Sequence, residues 1–436
     1  MEPQQVLEKA LKYAQQAEVF CLHQREEPVV FEATRLKRLE ARESSGLALR
    51  IIKDGKIGFS STTNQEDVES LVSNAVEMAP FGPKAWMSFP GPQEYGEVPV
   101  HDPAVETVSL DDMVHLGQGM IDLVRAHTPD LLCSVSVSRE VTTLSVYNSS
   151  GCQATYTKAV FGASIEGELV KDTDMLFVWD GETSCHPITG TSVITDSVIR
   201  QLEHARHIVA APEGDVPVLF MPHGVAEALL SPLMAGLNGR AVLRGASPLV
   251  DRLGSKMLSE SFSLYDDPTL PFVPGSRMCD DEGVPSRKVP LVEKGAIVSF
   301  LYDLQTAAQA GVESTASGHR GLGTMPGPAP SVLLVQEGGV SEEVLVGDLK
   351  KGLVVEHLLG AGQSNVQGGE FSANVLLGYL VKDGRIEGRV KNTLVSGNVY
   401  NVLNRILAIG DQGRWVGGSL KTPALLCEGV SIAAKT

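Results

Sequence analysis

The sequence Val218-Leu219-Phe220-Met221-Pro222-His223-Gly224-Val225-Ala226-Glu227-Ala228-Leu229-Leu230 joins a short apolar stretch directly to a segment with helical character. The apolar and β-branched residues from 216 to 220 predict a buried strand. Pro222 suits the first position of a helix, because its ring fixes φ and its missing N–H has no partner there in any case. The stretch therefore predicts a strand that runs straight into a helix, with His223 in the first turn.

His223 and Glu227 are the two side chains of this helix that could carry chemistry. At a spacing of four residues they would share one face of an α-helix, where they could share a metal ion or a proton. A zinc peptidase helix of the His-Glu-x-x-His type has a glutamate directly after the first histidine and a histidine three residues later. Gly224 and Glu227 occupy those two positions here, so the familiar peptidase motif is absent.

Two interpretations of His223 and Glu227 stay open. In the first, they bind zinc with one more ligand from elsewhere in the chain, since zinc needs only three protein ligands and a water. In the second, His223 is a neutral, hydrogen-bonding side chain near a helix N-terminus, where the helix dipole disfavours a cationic imidazole, and Glu227 is solvated or paired. The candidate further ligands are His319, His357, Cys279 and Cys427.

Length and charge limit the classes of function. The chain has 436 residues and a net charge of −17 with neutral histidines, which argues against nucleic acid as a direct partner. This length is enough for two or three domains, and we predict two. An N-terminal α+β domain spans 1–212 and a C-terminal β-rich domain, which contains the His223 helix, spans 213–436.

The cysteines and the apolar stretches indicate a cellular compartment. The six cysteines are scattered and never form Cys-x-x-Cys, which predicts reduced, mostly buried thiols. Residues 1–5 have neither the basic start nor the apolar stretch of a signal peptide. The longest apolar stretches, such as 375–381, are too short to span a bilayer. We therefore expect a cytoplasmic protein that does not associate with a membrane.

The order of strand and helix signals predicts an α+β fold. In the N-terminal half, Asp54-Gly55 between two strand patterns is the signal of a two-residue hairpin. Strand blocks alternate with helical patterns there, which predicts a curved antiparallel sheet with helices. From Ser331 onward, strand patterns follow one another with short turns and without intervening helices. This density predicts a C-terminal domain that resembles a barrel or a sandwich.

Pairs of adjacent acidic residues do not by themselves predict an acid–base site. Asp111-Asp112, Asp266-Asp267 and Asp280-Asp281 lie in apparent helix caps or loops, and the third pair continues into Glu282. Residues of this kind usually cap helices or shape turns at the protein surface. We therefore expect all three pairs to be solvated.

A glycine-rich segment supplies a candidate binding surface. The segment 360–364 reads Gly-Ala-Gly-Gln-Ser, and 368–372 reads Gly-Gly-Glu-Phe-Ser and leads into a strand. Glycines at a strand let another backbone come close, which suits an extended peptide that adds to the sheet. A sharp corner of a barrel would explain the same glycines. The candidate substrate-binding residues are Gly362, Ser364, Phe371 and Ser372.

Several of these segments together resemble the TldD/PmbA family, and within it the PmbA (TldE) branch. The fullest marker is Glu370-Phe371-Ser372, followed by Gly378-Tyr379 and by the turn Lys382-Asp383-Gly384. Earlier markers are Gly46-Leu47-Ala48-Leu49-Arg50, Gly55-Lys56-Ile57-Gly58-Phe59-Ser60, Asp281-Glu282-Gly283-Val284, Lys294-Gly295-Ala296-Ile297, Phe300-Leu301-Tyr302-Asp303 and Ser317-Gly318-His319. The resemblance implies a two-domain α+β protein that dimerises around an enclosed cavity.

The resemblance also implies where the family's metal would lie. The TldD branch is a zinc peptidase with His-Glu-x-x-x-His on the helix that matches 222–230, and with a distant cysteine ligand. This chain has His223-Gly224 in place of the His-Glu pair, and it has no cysteine between Cys279 and Cys427. We therefore expect no metal in this chain and zinc in a TldD-like partner.

The resemblance leads to one functional hypothesis and two alternatives. PmbA-branch members pair with a TldD subunit and cleave unfolded peptides, and an older name calls them modulators of DNA gyrase. The main hypothesis is a non-metal-binding subunit of such a cytosolic peptidase. One alternative is a self-contained metallopeptidase with an atypical metal site at His223 and Glu227. The other is a non-catalytic, homodimeric binding or modulator protein.

Overall fold

The computed structural model describes residues 3–64, 66–212 and 214–434. Its N-terminal part is one antiparallel sheet of seven strands with helices packed against it. The strands are β1 Gln16–Glu32, β2 Arg35–Leu39, β3 Arg42–Lys53, β4 Lys56–Thr62, β5 Leu132–Asn148, β6 Gln153–Lys171 and β7 Asp174–Ser184. The order is β4-β3-β1-β5-β6-β7, and β2 pairs with β1. The helices are α1 Pro3–Ala10, α2 Val68–Met78, α3 Pro103–Thr107, α4 Leu110–His127 and α5 Ser192–His204.

The predicted hairpin at Asp54-Gly55 is confirmed. Lys53 pairs with Lys56 across the turn. Asp54 has φ 51° and Gly55 has φ 73°, so both central residues are left-handed. Turns of this kind match the twist of the two strands that they connect, and asparagine, aspartate and glycine tolerate the conformation best.

Helix α4 shows how local sequence places the N-terminal helices. Ser109 and Asp112 form a reciprocal capping box, in which each side chain accepts the other residue's backbone N–H. Met113, Met120 and Val124 recur at helical spacing and are fully buried against the sheet. Asp112 is thus a helix-capping residue, as predicted. No helix of the described residues has the length and apolar character needed to cross a membrane.

The C-terminal part contains two further large sheets that share one apolar core. The nine-stranded sheet is built from β8 Ile208–Val209, β9 Val218–Phe220, β16 Lys351–Leu359, β17 Glu370–Lys382, β18 Arg385–Val390, β19 Thr393–Asn398, β20 Ile406–Ile409, β23 Leu425–Cys427 and β24 Ser431–Ala434. The six-stranded sheet is built from β10 Leu264–Asp266, β11 Val289–Glu293, β12 Ala296–Ile297, β15 Leu333–Val335, β21 Arg414–Val416 and β22 Leu420–Thr422. A small third pair is β13 Gly318–His319 with β14 Gly327–Pro328.

The arrangement of these sheets confirms the α+β class with a β-rich C-terminal part. Phe220 and Phe371 of the nine-stranded sheet and Leu264 and Leu291 of the six-stranded sheet belong to one buried cluster. The two sheets therefore enclose a common core, as in a sandwich. β8 pairs in parallel with β18, so the chain enters the nine-stranded sheet before the predicted domain boundary at 212. That boundary stays a prediction.

Short helices separate the C-terminal strands more often than the sequence pattern predicts. The helix that begins at Pro222 has three parts: α6 Pro222–Gly224, a π-helical turn Val225–Leu230, and α7 Ser231–Leu237. The others are α8 Gly239–Leu243, α9 Leu304–Ala310, α10 Glu342–Gly347 and α11 Val399–Leu403. Helices α10 and α11 correct the expectation of strands without helices after Ser331. Ser341 and Asn398 cap them by accepting backbone N–H bonds, a local signal that apolar periodicity does not reveal.

The expectation that Asp266-Asp267 and Asp280-Asp281 are solvated is wrong. All four are buried, and Glu282 is fully inaccessible. The reason is hydrogen bonding to backbone N–H groups, several of which come from distant segments. Asp280 accepts the backbone N–H groups of Glu282, Val284 and Gly318 at 2.9 to 3.0 Å, and these three donors replace the water that the carboxylate would otherwise need.

Glu282 belongs to a group of buried charged side chains, joined by ion pairs and hydrogen bonds, between the N-terminal sheet and the C-terminal part, which we call the junction cluster. Its members are Glu18, Arg50, Asp280, Asp281, Glu282 and Arg320. Arg50 Nη2 lies 2.9 Å from Glu18 Oε2, and Arg50 Nη1 lies 2.7 Å from Glu282 Oε1. Arg320 Nη2 donates to Glu18 Oε1 at 2.8 Å. Burial would raise the pKa of Glu18, but Arg320 and Arg50 outweigh it and lower that pKa.

The prediction of reduced, mostly buried cysteines is confirmed. All six are free thiols, and five are buried, whereas Cys21 is partly exposed. Burial raises the pKa of the Cys133 and Cys185 thiols to about 11. At neutral pH these groups are protonated, small apolar side chains rather than nucleophiles.

Candidate functional site

His223 lies in the first turn after β9, where the sequence predicts it. Strand β9 is buried between β16 and β23, and Pro222 turns the chain into the helix. The His223 side chain is 9% exposed, and its Nε2 lies 3.8 Å from Asp180 Oδ1. Its ring meets Trp179 edge-on, with 4.6 Å between centroids, and lies 4.8 Å from the ring of His357. His223 is therefore held by the strand β7 of the N-terminal sheet and by β16.

Asp180 is the anionic centre of this group. Its side chain is 1% exposed, and Arg414 Nη2 donates to its Oδ2 at 2.5 Å. Burial would raise the pKa of Asp180, but the contacts with His223 and Arg414 outweigh burial and lower it. Arg414 also reaches Ser197 Oγ at 3.3 Å. We call His223, His357, Trp179, Asp180 and Arg414 the His223 cluster.

His357 is the one candidate further ligand that lies beside His223. Its Nε2 lies 3.2 Å from the carbonyl oxygen of Trp179, which fits a ring that donates from Nε2. Burial lowers the pKa of His357 to about 4, and the neighbouring His223 acts in the same direction. The imidazole is therefore neutral at neutral pH.

The other three candidates take part in different contacts. His319 Nδ1 lies 3.1 Å from Asp281 Oδ2, next to the junction cluster. Cys279 is buried and pairs by a backbone bridge with Pro285. Cys427 lies on β23 opposite Val218 of β9, inside the core. The structure brings none of these three into a hydrogen bond or ion pair with His223 among the residues it describes.

Glu227 does not pair with His223 within the described part of the chain. It lies in the π-helical turn, directly after the turn that holds His223. Its Oε2 accepts the backbone N–H of Leu358 at 2.6 Å. That N–H lies where the β16–β17 pairing is irregular, between His357 and Leu358. Burial raises the pKa of Glu227.

These side chains do not fit a zinc ion. Zinc in a peptidase needs three protein ligands around one point. Within residues 3–64, 66–212 and 214–434, no group of three or more histidine, cysteine, aspartate or glutamate side chains is placed to hold a metal ion. Asp180 is already engaged by the cationic Arg414, and Glu227 by the Leu358 N–H. A metal at His223 would have to displace both contacts.

A cavity of about 450 Å³ opens beside His223. Met221, Pro222 and Gly410 form part of its uncharged wall. Its charged lining consists of Asp196, Glu342, Glu343, Glu356 and Asp411 with Arg200 and Arg414. Glu356 is the most enclosed acid of this lining, at 7% exposure, and burial raises its pKa to about 7.

Sequence reasoning missed Glu356, and a signal for it exists. Glu356 and His357 are two adjacent polar residues inside the otherwise apolar stretch 353–359 of β16. A charged residue in a buried strand is rarely tolerated without a partner or a role. Asp180 and Arg414 carry no comparable signal, because their pairing depends on contacts between residues 234 positions apart.

Two of the predicted peptide-binding residues, Phe371 and Ser372, lie at the start of β17, and the other two, Gly362 and Ser364, lie between β16 and β17, a few residues after His357. Phe371 is 1% exposed and packs edge-on against Phe220, whereas Ser372 and Gly362 are exposed. Ser364 Oγ donates to the carbonyl oxygen of Ser372 at 3.5 Å. The segment before β17 thus lies along the part of that strand which β16 does not pair. Peptide addition at these residues stays a prediction.

Two family models match the chain. The model for the PmbA/TldA metallopeptidase C-terminal domain matches residues 213–434, and the model for PmbA/TldA metallopeptidase domain 1 matches residues 17–79. Together they include β9, the His223 helix and the cavity wall formed by β16.

Relatives and solved structures agree with these models. An uncharacterized protein of Methanocaldococcus jannaschii is 25% identical over 97% of this chain and 99% of its own length. A protein named metalloprotease from Methanothermobacter thermautotrophicus is 24% identical over 88% of this chain and 86% of its own. The crystal structure of TldE from Thermococcus kodakarensis superposes with a TM-score of 0.90 at 25% identity, covering 99% of this chain and 100% of that one.

Proposed function

The chain belongs to the PmbA/TldD family of metallopeptidase-like proteins, and from this premise we propose that it is the metal-free subunit of a cytoplasmic heteromeric peptidase. In this proposal a TldD-like partner holds the zinc and cleaves the peptide bond. This chain supplies part of the enclosed cavity and helps to hold an unfolded peptide. Support comes from the family match, from the likeness to TldE and from the geometry at His223.

The observation that carries the proposal is the packing of Gly224. A Cβ atom at this position would lie 2.7 Å from the carbonyl oxygen of Val355 on β16. That distance is shorter than van der Waals contact allows, and the obstacle is backbone. A glutamate after His223, which would act as general base in a zinc peptidase, therefore has no room here. The helix start is used for close packing against the sheet instead of for catalysis.

Zinc content and reconstitution test the proposal. The purified chain, a family member that carries His-Glu-x-x-x-His, and their mixture are each given an unstructured fluorogenic peptide. We expect the mixture to cleave the peptide and this chain alone to cleave little of it. The zinc content of each sample should follow the amount of partner that it contains. Size-exclusion chromatography of the same three samples reports whether a mixed dimer forms. A partner whose motif glutamate is replaced by glutamine is the control, and its mixture should be inactive.

The two alternatives give different results in the same experiment. A self-contained metallopeptidase would hold about one zinc per chain, cleave the peptide alone, and lose both properties in His223→Ala. A homodimeric modulator would leave the partner's activity unchanged and would not form a mixed dimer. Either result would refute the proposed function.

A further inference from the structure

The cavity beside His223 has an unbalanced charge that the proposed function does not use. We propose that it binds a cationic group of a peptide, with Glu356 as the principal contact. The group would be a side-chain guanidinium or ammonium, or a free amino terminus. This inference rests on the proposed function, since it names the chemistry of the peptide that the chain would hold.

Glu356 is the first reason. It lies on β16 with 7% exposure, and it lines the cavity. Among the hydrogen bonds of the described residues, none reaches its carboxylate. A carboxylate on a cavity wall with no protein donor can form hydrogen bonds only with what enters the cavity. A cation with N–H groups inside the cavity would supply both the opposite charge and the missing donors.

The surrounding charge is the second reason. Five acidic side chains and two arginines line the cavity. Of the two arginines, Arg414 is already paired with Asp180 at 2.5 Å and bonds Ser197. The lining therefore keeps an excess of acidic groups, of which Glu342, Glu343 and Asp411 are exposed to solvent. A volume of about 450 Å³ accommodates a single long side chain with its water.

Titration of Glu356 gives the inference a pH signature. The charged and titratable groups around its carboxyl are Arg200 on α5, Glu342 on α10, Asp180 on β7, Arg414 on β21 and Tyr379 on β17. Burial is the main cause that raises the pKa of Glu356 to about 7. Below that pH the carboxyl is neutral and attracts a cation weakly. Binding of a cation should therefore strengthen as pH rises from about 6 to 8.

Arginine and citrulline peptides test the inference, because citrulline is an uncharged near-isostere of arginine. The probes are fluorescent, N-acetylated Gly-Ser peptides with one central arginine or one central citrulline, and anisotropy is measured with the purified chain alone. We expect the arginine peptide to bind about tenfold more tightly at pH 8 and to lose most of that preference at pH 6. A third peptide, with a free amino terminus and no arginine, shows whether an amino terminus is accepted.

Matched variants assign the preference to the cavity. Glu356→Gln should abolish the arginine preference, whereas Glu94→Gln, which removes the same charge from an exposed loop, should keep it. Equal binding of both peptides by the unmodified chain at pH 8 would overturn the inference, as would a preference that persists in a folded Glu356→Gln. If that variant does not fold, the pH dependence of the unmodified chain decides. Stimulation of a partner peptidase is measured separately, so cleavage without arginine preference would refute only the inference.

Discussion

Two regions of this molecule bury charged side chains, and they differ in whether the buried carboxylates have hydrogen-bond donors within the protein. In the junction cluster each carboxylate has close donors: Glu18 contacts Arg50 and Arg320, and Glu282 contacts Arg50 and the Leu304 N–H at 2.7 Å. At the cavity beside His223, Glu356 has no hydrogen-bond donor among the described residues. The junction cluster lies between the N-terminal sheet and the C-terminal part, whereas the cavity has room for a ligand.

The difference separates charge that holds the fold together from charge that is available to a ligand. A buried ion pair contributes little net stability when it forms, but removing one partner leaves the other charge without compensation. Glu356 has no hydrogen-bond donor among the described residues and is only partly offset by nearby arginines, chiefly Arg200, so removing its charge should relieve the folded state. Removing a charge should therefore destabilise the folded chain in the junction cluster and stabilise it at Glu356.

The largest effect is expected in the junction cluster. Arg50→Ala removes a guanidinium that is 2% exposed and that pairs with both Glu18 and Glu282. Two buried carboxylates would lose a partner, and we expect a loss of about 3 to 5 kcal/mol in the free energy of unfolding. Urea denaturation followed by fluorescence measures it.

Arg42→Ala is the matched control for Arg50→Ala. Arg42 lies on the same strand, β3, and pairs with Glu40, but its side chain is 53% exposed. We expect a change below about 0.5 kcal/mol, because surface ion pairs contribute little. Similar losses in the two variants would show that the junction does not depend on buried pairing.

Removing the charge of Glu356 should instead raise the free energy of unfolding. Its pKa is about 7 in the folded chain and near its ordinary value of 4.5 in the unfolded chain. As pH rises from 4.5 to 7 the unfolded chain releases this proton first, so the folded state loses stability. Glu356→Gln has no such proton and should be more stable than the unmodified chain by about 2 kcal/mol at pH 8. At pH 4.5 the two should be nearly equal.

Denaturation at both pH values measures this difference, and Glu94→Gln serves as its control. Glu94 is exposed, so its substitution should change stability little at either pH. A Glu356→Gln variant that is less stable than the unmodified chain at pH 8 would mean that the carboxylate is satisfied by contacts within the fold. The cavity would then be a structural feature like the junction.

Sequence reasoning predicted the elements whose signals are local. The hairpin at Asp54-Gly55 and the strand-to-helix stretch through Pro222 follow from turn chemistry and apolar periodicity, which act over a few residues. The position of His223 in the first turn of the helix followed from the same stretch.

The remaining parts of the site could not be predicted because they depend on distant contacts. Asp180 and Arg414 meet across 234 positions, and Asp281 is buried because Arg320 and His319 reach it from another segment. Glu227 is held by the Leu358 N–H on β16, a contact across 131 positions that helix spacing does not reveal. The π-helical turn between 225 and 230 was not predicted either, because no single residue type marks such a turn.

The last prediction concerns Gly224, whose close packing against β16 bears on whether this helix start could hold the glutamate of a zinc peptidase. Gly224→Ala places a Cβ 2.7 Å from the Val355 carbonyl oxygen, and we expect a loss of about 1.5 kcal/mol in urea denaturation. Gly119→Ala is the control, because Gly119 lies inside α4 with no atom within 4 Å of an added Cβ. That substitution should stabilise the chain by about 0.5 to 1 kcal/mol.

Gly224→Glu restores the His-Glu order, yet it should be less stable than Gly224→Ala and should bind no zinc by elemental analysis. A stable Gly224→Glu variant that holds zinc would mean that this helix lacks only one residue of a metal site, and that the close packing of Gly224 does not separate this chain from the zinc-binding branch.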